Sequence, residues 1–130
     1  MLSKPIEEIK QELGNFYGTE QWHRYSPLFH NVMLTDGAKY IAETCGAYWL
    51  MDVISSHLPS VRKTDSYFAI AQLVKGKKGA KFKLVPDIPC DDHEVFAKQT
   101  IEYTDFPLDE IKFYVSYDGE NWVILLPSEY

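Results

Sequence analysis

Two short polar turns in this sequence carry residue types that could bind a ligand. Thr35-Asp36-Gly37 precedes an apolar helical pattern, and the free backbone N–H groups at such a helix start can hold an anion. Tyr103-Thr104-Asp105-Phe106-Pro107 is a rigid turn that offers hydroxyl and carboxylate groups. If both turns converge with Trp22 and Tyr40, they line a polar and aromatic cleft. The candidate ligand-binding residues are therefore Trp22, Arg24, Thr35, Asp36, Tyr40, Tyr103 and Asp105.

These residues also have a purely structural interpretation. Thr35 can cap its own helix, and Tyr103 and Phe106 can pack in the core. Trp22 and Arg24 share one face of a predicted strand, where an aromatic ring and a cation can stack. His23 and Tyr25 face the other side, so His23 cannot share a site with Arg24. The sequence leaves both interpretations open.

Carboxylates on an apolar helix are a second source of chemistry. Glu43 and Asp52 lie in the main helical pattern, where a desolvated carboxylate can serve as a general acid. They are about 13 Å apart along a helix axis, so they do not form a catalytic pair by themselves. We expect each to pair with a neighbouring Tyr, Lys or Arg, and we assign no catalytic residue.

A metal site and a reactive thiol are not expected. Asp91-Asp92-His93-Glu94 combines carboxylates with an imidazole, but no second ligand cluster follows at a known spacing, so a polar turn is the better interpretation. Cys45 lies in an apolar run and Cys90 in a polar loop, which favours free thiols with Cys45 packed in the interior. No phosphate-binding loop, dinucleotide fingerprint or nucleophile elbow is present. We therefore predict no metal and no cofactor.

Length and charge exclude several classes of protein. The chain has 130 residues, which predicts one domain over residues 1–130, and its net charge of −6 argues against non-specific nucleic-acid binding. The absence of a long apolar run and of a signal peptide predicts a cytoplasmic protein without membrane contact. Charge is unevenly distributed along the sequence. The charged residues between 75 and 83 are all lysines, whereas those between 87 and 110 are acidic except for Lys98.

Hydrophobic periodicity predicts an α+β fold. A short helix with Ile6, Ile9 and Leu13 on one face comes first, followed by extended segments at residues 19–25 and 29–34. One long buried helix then runs from a Thr35 cap through Ile54 and ends at His57-Leu58-Pro59. About five strands joined by short turns follow, with hairpins around residues 75–79 and Asp118-Gly119. We predict that the long helix packs on an antiparallel meander of about five or six strands.

Four segments resemble a known family: residues 34–43, 46–52 and 101–111, and the closing Leu126-Pro-Ser-Glu-Tyr130. The chain is similar, from about Gly18 to its C-terminus, to an uncharacterised family of small bacterial proteins, a domain of unknown function with plasmid- and phage-borne members. The resemblance implies a cytoplasmic, single-domain protein. It assigns no activity and no catalytic residue.

Three functions remain open from the sequence. The first is a small binding or protein-interaction domain with an accessory role, working as a homodimer or with another protein partner, because Tyr and Trp are favoured at interfaces. The second is a small hydrolase-like enzyme that uses Glu43 or Asp36 with Tyr and His partners. The third is an acidic mimic of nucleic acid, which requires the acids of residues 87–110 to form one face.

Overall fold

The fold consists of a mixed sheet with helices packed against it. The computed structural model describes residues 6–13, 22–29, 31–63, 66–86 and 95–129. The helices are α1 (Ile6–Leu13), α2 (Asp36–Thr44) and α3 (Tyr48–Arg62). The strands are β1 (Trp22–Arg24), β2 (Val32–Thr35), β3 (Phe68–Lys75), β4 (Ala80–Val85), β5 (Ala97–Ile101), β6 (Glu110–Tyr117) and β7 (Trp122–Leu125), and short 3₁₀ turns occupy Pro27–Phe29 and Pro127–Glu129.

The sheet differs from the predicted meander. It has seven strands in the order β1-β2-β7-β6-β3-β4-β5. β2 pairs with β7 in parallel, with Val32 opposite Trp122, whereas the other five strand pairs are antiparallel. The two N-terminal strands therefore join the sheet beside its last strand, so the sheet is mixed and larger than predicted. Long-range pairing of this kind leaves no local signal in the sequence.

The predicted single long helix is two helices separated at Gly46. Gly46 has a φ of 60°, which favours glycine. The Ala47 N–H donates to the Ala42 carbonyl, so the chain ends α2 with a Schellman motif before α3 starts at Tyr48. Gly46 thus marks the end of α2 inside the segment that was predicted as one helix.

The end of α3 also lies later than predicted. α3 continues through Pro59 to Arg62, and Leu58 and Val61 are buried in its last turns. Burial of these apolar side chains stabilises the last turn despite the backbone hydrogen bond that proline cannot donate. The capping of α2 is as predicted, because the Thr35 side chain accepts from the Ala38 N–H.

One face of the sheet is covered by the helices. Strand register places Leu34, Ile124, Val115, Ala69, Leu73 and Phe82 on this face, and all are buried. The His57 ring of α3 stacks on Phe82 at 5.9 Å, so α3 lies over this face. In the described part of the chain, no helix is long and apolar enough to cross a membrane.

Candidate functional site

The start of α2 is already occupied by an anion that the chain itself supplies. The buried Glu129 carboxylate accepts hydrogen bonds from the Thr35 hydroxyl at 2.6 Å, the Gly37 N–H at 3.0 Å and the Leu126 N–H at 3.0 Å. A Cβ on Gly37 would lie 2.5 Å from Glu129 Oε1, so only glycine permits this approach. The helix start therefore does hold an anion, and that anion is Glu129.

His23 and Asp36 form a pair next to this carboxylate site. Asp36 Oδ1 lies 2.7 Å from His23 Nε2, and both side chains are partly exposed. Glu43, further along α2, pairs instead with Lys39 at 3.7 Å. Asp36 therefore has a histidine partner of the kind that the hydrolase hypothesis names, whereas Glu43 pairs with a neighbouring lysine as expected.

The predicted ligand-binding residues fall into two groups at different positions along the sheet. Trp22, Arg24, Thr35, Asp36 and Tyr40 lie on β1, at the end of β2 and on α2. Tyr103 and Asp105 follow β5 at the opposite edge, and the Thr104 N–H donates to the Lys78 carbonyl of the β3–β4 hairpin. β2 and β4 are four strand spacings apart, about 19 Å, so the two turns do not converge. Ligand binding by either group stays a prediction.

Other sequence-based predictions have mixed outcomes. Phe106 is buried but Tyr103 is 75% exposed, so only Phe106 packs in the core. Cys45 is a free, buried thiol, and burial raises its pKa to about 11, as expected for an unreactive cysteine.

His93 and its acidic neighbours at 91, 92 and 94 lie outside the described residues, as do Asp87 and Cys90. The continuous acidic face therefore stays a prediction.

A cleft at the C-terminal end of α3 gathers polar and aromatic groups that the sequence did not connect. It has a volume of about 280 Å³, comparable to about nine liquid waters and sufficient for a ligand with one or two rings. We call it the Arg62 cleft. Its lining residues are Phe29, Asn31, Val32, Ser55, Ser56, Leu58, Pro59, Arg62, Tyr117 and Trp122.

Aromatic side chains form a continuous row along this cleft. The Tyr117 ring lies 4.9 Å from the Trp122 ring and 6.0 Å from the Tyr67 ring, centroid to centroid. Backbone bonds hold the row in place, because Tyr117 N–H donates to the Tyr67 carbonyl and Trp122 N–H to the Asn31 carbonyl. Phe29, on the 3₁₀ turn after β1, stacks against Tyr25 at 6.3 Å.

Arg62 supplies the positive charge of the cleft. Its Cζ lies 4.7 Å from the centroids of both Tyr67 and Tyr117, and one guanidinium nitrogen donates to the Ser66 carbonyl at 3.1 Å. No carboxylate lies within ion-pair distance of this half-buried guanidinium in the described chain. The remaining N–H donors are therefore available to an anionic group of a ligand.

Ser55 places a hydroxyl in the lining of the cleft. The Tyr25 hydroxyl lies 2.6 Å from Ser55 Oγ and 3.2 Å from the Met51 carbonyl. Burial, more than the nearby Asp52 carboxylate, raises the pKa of Tyr25 to about 12. The tyrosine therefore stays protonated at neutral pH and cannot act as a base toward Ser55. This arrangement is suited to hydrogen bonding and does not activate a nucleophile.

The β3–β4 hairpin forms a second, larger cavity at the other end of β3. It has a volume of about 670 Å³ and includes the four lysines Lys75, Lys77, Lys78 and Lys81 in its lining. Glu102, after β5, is its acidic member. The sequence indicated this hairpin and its charge, but not that the lysines surround a cavity.

Sequence patterns did not identify the Arg62 cleft because its residues come from three separate stretches of the chain, residues 29–32, 55–62 and 117–122. Phe29, Asn31, Ser55, Arg62 and Trp122 are brought together by the parallel pairing of β2 with β7 and by the extension of α3 beyond Pro59. Both features were missed. The only available signal was the large aromatic fraction, 15% of the chain.

Comparison with known proteins identifies a family and no activity. A protein-family model described as a family of unknown function, DUF6876, matches residues 7–130. No curated protein and no solved structure is significantly similar to the chain. The family match extends further toward the N-terminus than the resemblance, which begins at about Gly18. Because it spans nearly the whole sequence, the chain belongs to the DUF6876 family of unknown function.

Proposed function

We propose that this protein is a small binding module that takes a planar, negatively charged organic molecule, such as an aromatic carboxylate, into the Arg62 cleft. The observation that carries the proposal is the half-buried guanidinium of Arg62, which lines an aromatic cleft and has no acidic partner among the described residues. A partly desolvated cation without a counter-charge favours an anionic ligand. The binding role continues the first of the three functions that the sequence left open.

Guanidinium geometry defines the ligand class. Its planar fork matches a carboxylate with two parallel N–H···O bonds, which are stronger than neutral hydrogen bonds. The ring of Tyr117, which lies against the buried ring of Trp122, favours a flat apolar body by stacking and by area burial. Asn31, whose exposed side-chain amide makes no hydrogen bond within the described structure, adds a donor and an acceptor for selectivity.

The chemistry of the cleft supports binding over hydrolysis. The Ser55 hydroxyl has a protonated tyrosine as its partner, so it lacks the base that a nucleophile requires.

Placement in the cytoplasm and an accessory role remain parts of the proposal. Homodimer formation is another part, supported by the exposed rings of Trp22, Tyr67 and Tyr103. Light scattering at tens of micromolar tests it, and a clean monomer contradicts it.

Isothermal titration with 1-naphthoate tests the ligand site. We expect 1-naphthoate to bind, and the neutral 1-naphthamide to bind at least about tenfold more weakly because it loses the charge-assisted bonds, a difference of about 1.4 kcal/mol. Arg62→Gln should weaken 1-naphthoate binding by a similar factor. Lys63→Gln removes the same charge at the next residue, which is exposed and outside the cleft lining, and should bind as the parent chain does.

Two results would contradict the proposal. One is equal binding of the acid and the amide by the parent chain. The other is an equal loss in Arg62→Gln and Lys63→Gln, since this would indicate general attraction by positive charge. Melting curves of both variants check that they fold.

A further inference from the structure

We propose that the cavity of the β3–β4 hairpin is a second binding site, for a compact ligand that carries two or more closely spaced phosphate groups. This site is distinct from the Arg62 cleft. β3 starts beside Tyr67 and ends at Lys75, so the two sites are about 23 Å apart along the strand. The inference does not depend on the function proposed for the cleft.

Unneutralised positive charge is the first support. Lys77, Lys78 and Lys81 line the cavity and are exposed. None of the three makes an ion pair or hydrogen bond with another described residue or has any unnamed partner. Glu102 is the single acid of the lining. Three like charges around one concavity raise the local positive potential, which favours a multiply charged anion over a single carboxylate.

Rigidity of the hairpin is the second support. The Gly76 N–H donates to the Gly79 carbonyl at 2.7 Å, and the Thr104 N–H donates to the Lys78 carbonyl at 2.9 Å. The ammonium group of Lys75 donates to the Phe106 carbonyl at 2.8 Å. The loop that carries the lysines is therefore tied to the segment after β5. A fixed backbone lowers the entropic cost of ligand binding.

Close packing at Gly79 fixes the loop further. A Cβ on this residue would overlap the backbone carbonyl oxygens of Ile101 and Glu102. The hairpin backbone thus lies directly against the end of β5, and it forms a wall of the cavity together with Thr100 and Ile101.

The net charge of the chain and an apolar side chain in the cavity favour a compact molecule as the ligand. The chain carries a net charge of −6, which disfavours a long polyanion that extends beyond the lysines of the hairpin. Val74, which is 51% exposed, lines the same cavity and offers an apolar contact to the rest of a phosphorylated small molecule.

Binding of inorganic tripolyphosphate tests the proposal. Backbone amide chemical shifts of the parent chain should change at residues 76–81 and 100–102 during titration at low ionic strength. The double substitution Lys77→Gln/Lys78→Gln should weaken binding at least about tenfold. The charge-matched control Lys10→Gln/Lys63→Gln changes exposed lysines outside the cavity lining and should leave the affinity within about twofold.

Three results would overturn it. The first is the absence of shift changes at the hairpin with millimolar tripolyphosphate. The second is an equal loss of affinity in both double variants, which would reflect general electrostatics. The third is tighter binding of a 12-nucleotide single-stranded DNA than of tripolyphosphate, since this would contradict the compact ligand class. All four substituted lysines are exposed, so the variants retain the fold.

Discussion

The Glu129 carboxylate accepts a 2.6 Å hydrogen bond from the Thr35 hydroxyl, which links the last 3₁₀ turn to the residue that caps α2. The same carboxylate accepts from the Gly37 N–H in the first turn of α2. A buried charge is stable here because three donors and the positive end of the helix dipole surround it. The contact closes the fold between residues that are far apart in the chain.

Removal of this carboxylate should destabilise the protein. We predict that Glu129→Ala lowers the free energy of unfolding by about 2–4 kcal/mol, because the buried Gly37 and Leu126 N–H groups lose their acceptor and the Thr35 hydroxyl keeps only its longer bond to the Ile124 carbonyl. Urea unfolding followed by circular dichroism measures it. Glu120→Ala, at an exposed residue of the β6–β7 turn, is the control and should change stability by less than about 0.5 kcal/mol. Similar stability of both variants would mean that the contact contributes little.

The two glycines of the β3–β4 hairpin should respond differently to substitution. A Cβ at Gly79 would overlap backbone atoms that no side-chain rotation can move, so Gly79→Ala should cost about 2–4 kcal/mol. A Cβ at Gly76 would meet its nearest atom at 3.6 Å, an ordinary contact. Gly76→Ala should therefore be neutral or slightly stabilising. Thermal melting of the pair measures the difference, and matching melting temperatures would refute the packing argument.

Tyr25 should contribute a stability that disappears at high pH. Burial raises its pKa to about 12 from an ordinary value of 10.0. The folded state holds the proton more tightly than the unfolded chain, so the stabilisation is complete below pH 10 and is lost as pH rises toward 12. In Tyr25→Phe this loss should be smaller. At pH 7 the variant should be about 1 kcal/mol less stable, because Ser55 loses its partner.

Urea unfolding at pH 8, 10 and 11.5 measures this difference. Tyr103→Phe changes an exposed tyrosine and is expected to reproduce the parent curve. If Tyr25→Phe lost stability with pH as steeply as the parent chain, the hydroxyl would not be the group responsible.

Local sequence signals located most elements of the fold. The Thr35 cap and the hairpins around residues 75–79 and Asp118-Gly119 each depend on neighbouring residues, and each is confirmed. Two helix boundaries were predicted wrongly because one local signal outweighed another. Gly46 ended a helix that its apolar neighbours favoured, and burial of Val61 extended a helix beyond Pro59.

The features that the sequence did not predict depend on pairing between strands that are far apart in the chain. The candidate site depended on two turns meeting, but the strand order separates Asp36 from Asp105. Parallel pairing of β2 with β7 instead brings Asn31 next to Trp122 and so forms the Arg62 cleft. Periodicity describes which face of an element is buried and does not indicate which distant strand will become its neighbour.

The most direct test of the proposed function observes the arginine side chains during ligand titration. The chain contains two arginines, Arg24 and Arg62, so a ¹⁵N spectrum resolves two Nε–H signals, and Arg62→Gln assigns them. With 1-naphthoate, we predict a saturable shift of the Arg62 signal while the Arg24 signal stays in place, and with 1-naphthamide an Arg62 shift that needs at least about tenfold more ligand. An Arg62 signal that does not move with the acid, or that moves equally with the amide, would contradict the assignment of the cleft as an anion-binding site.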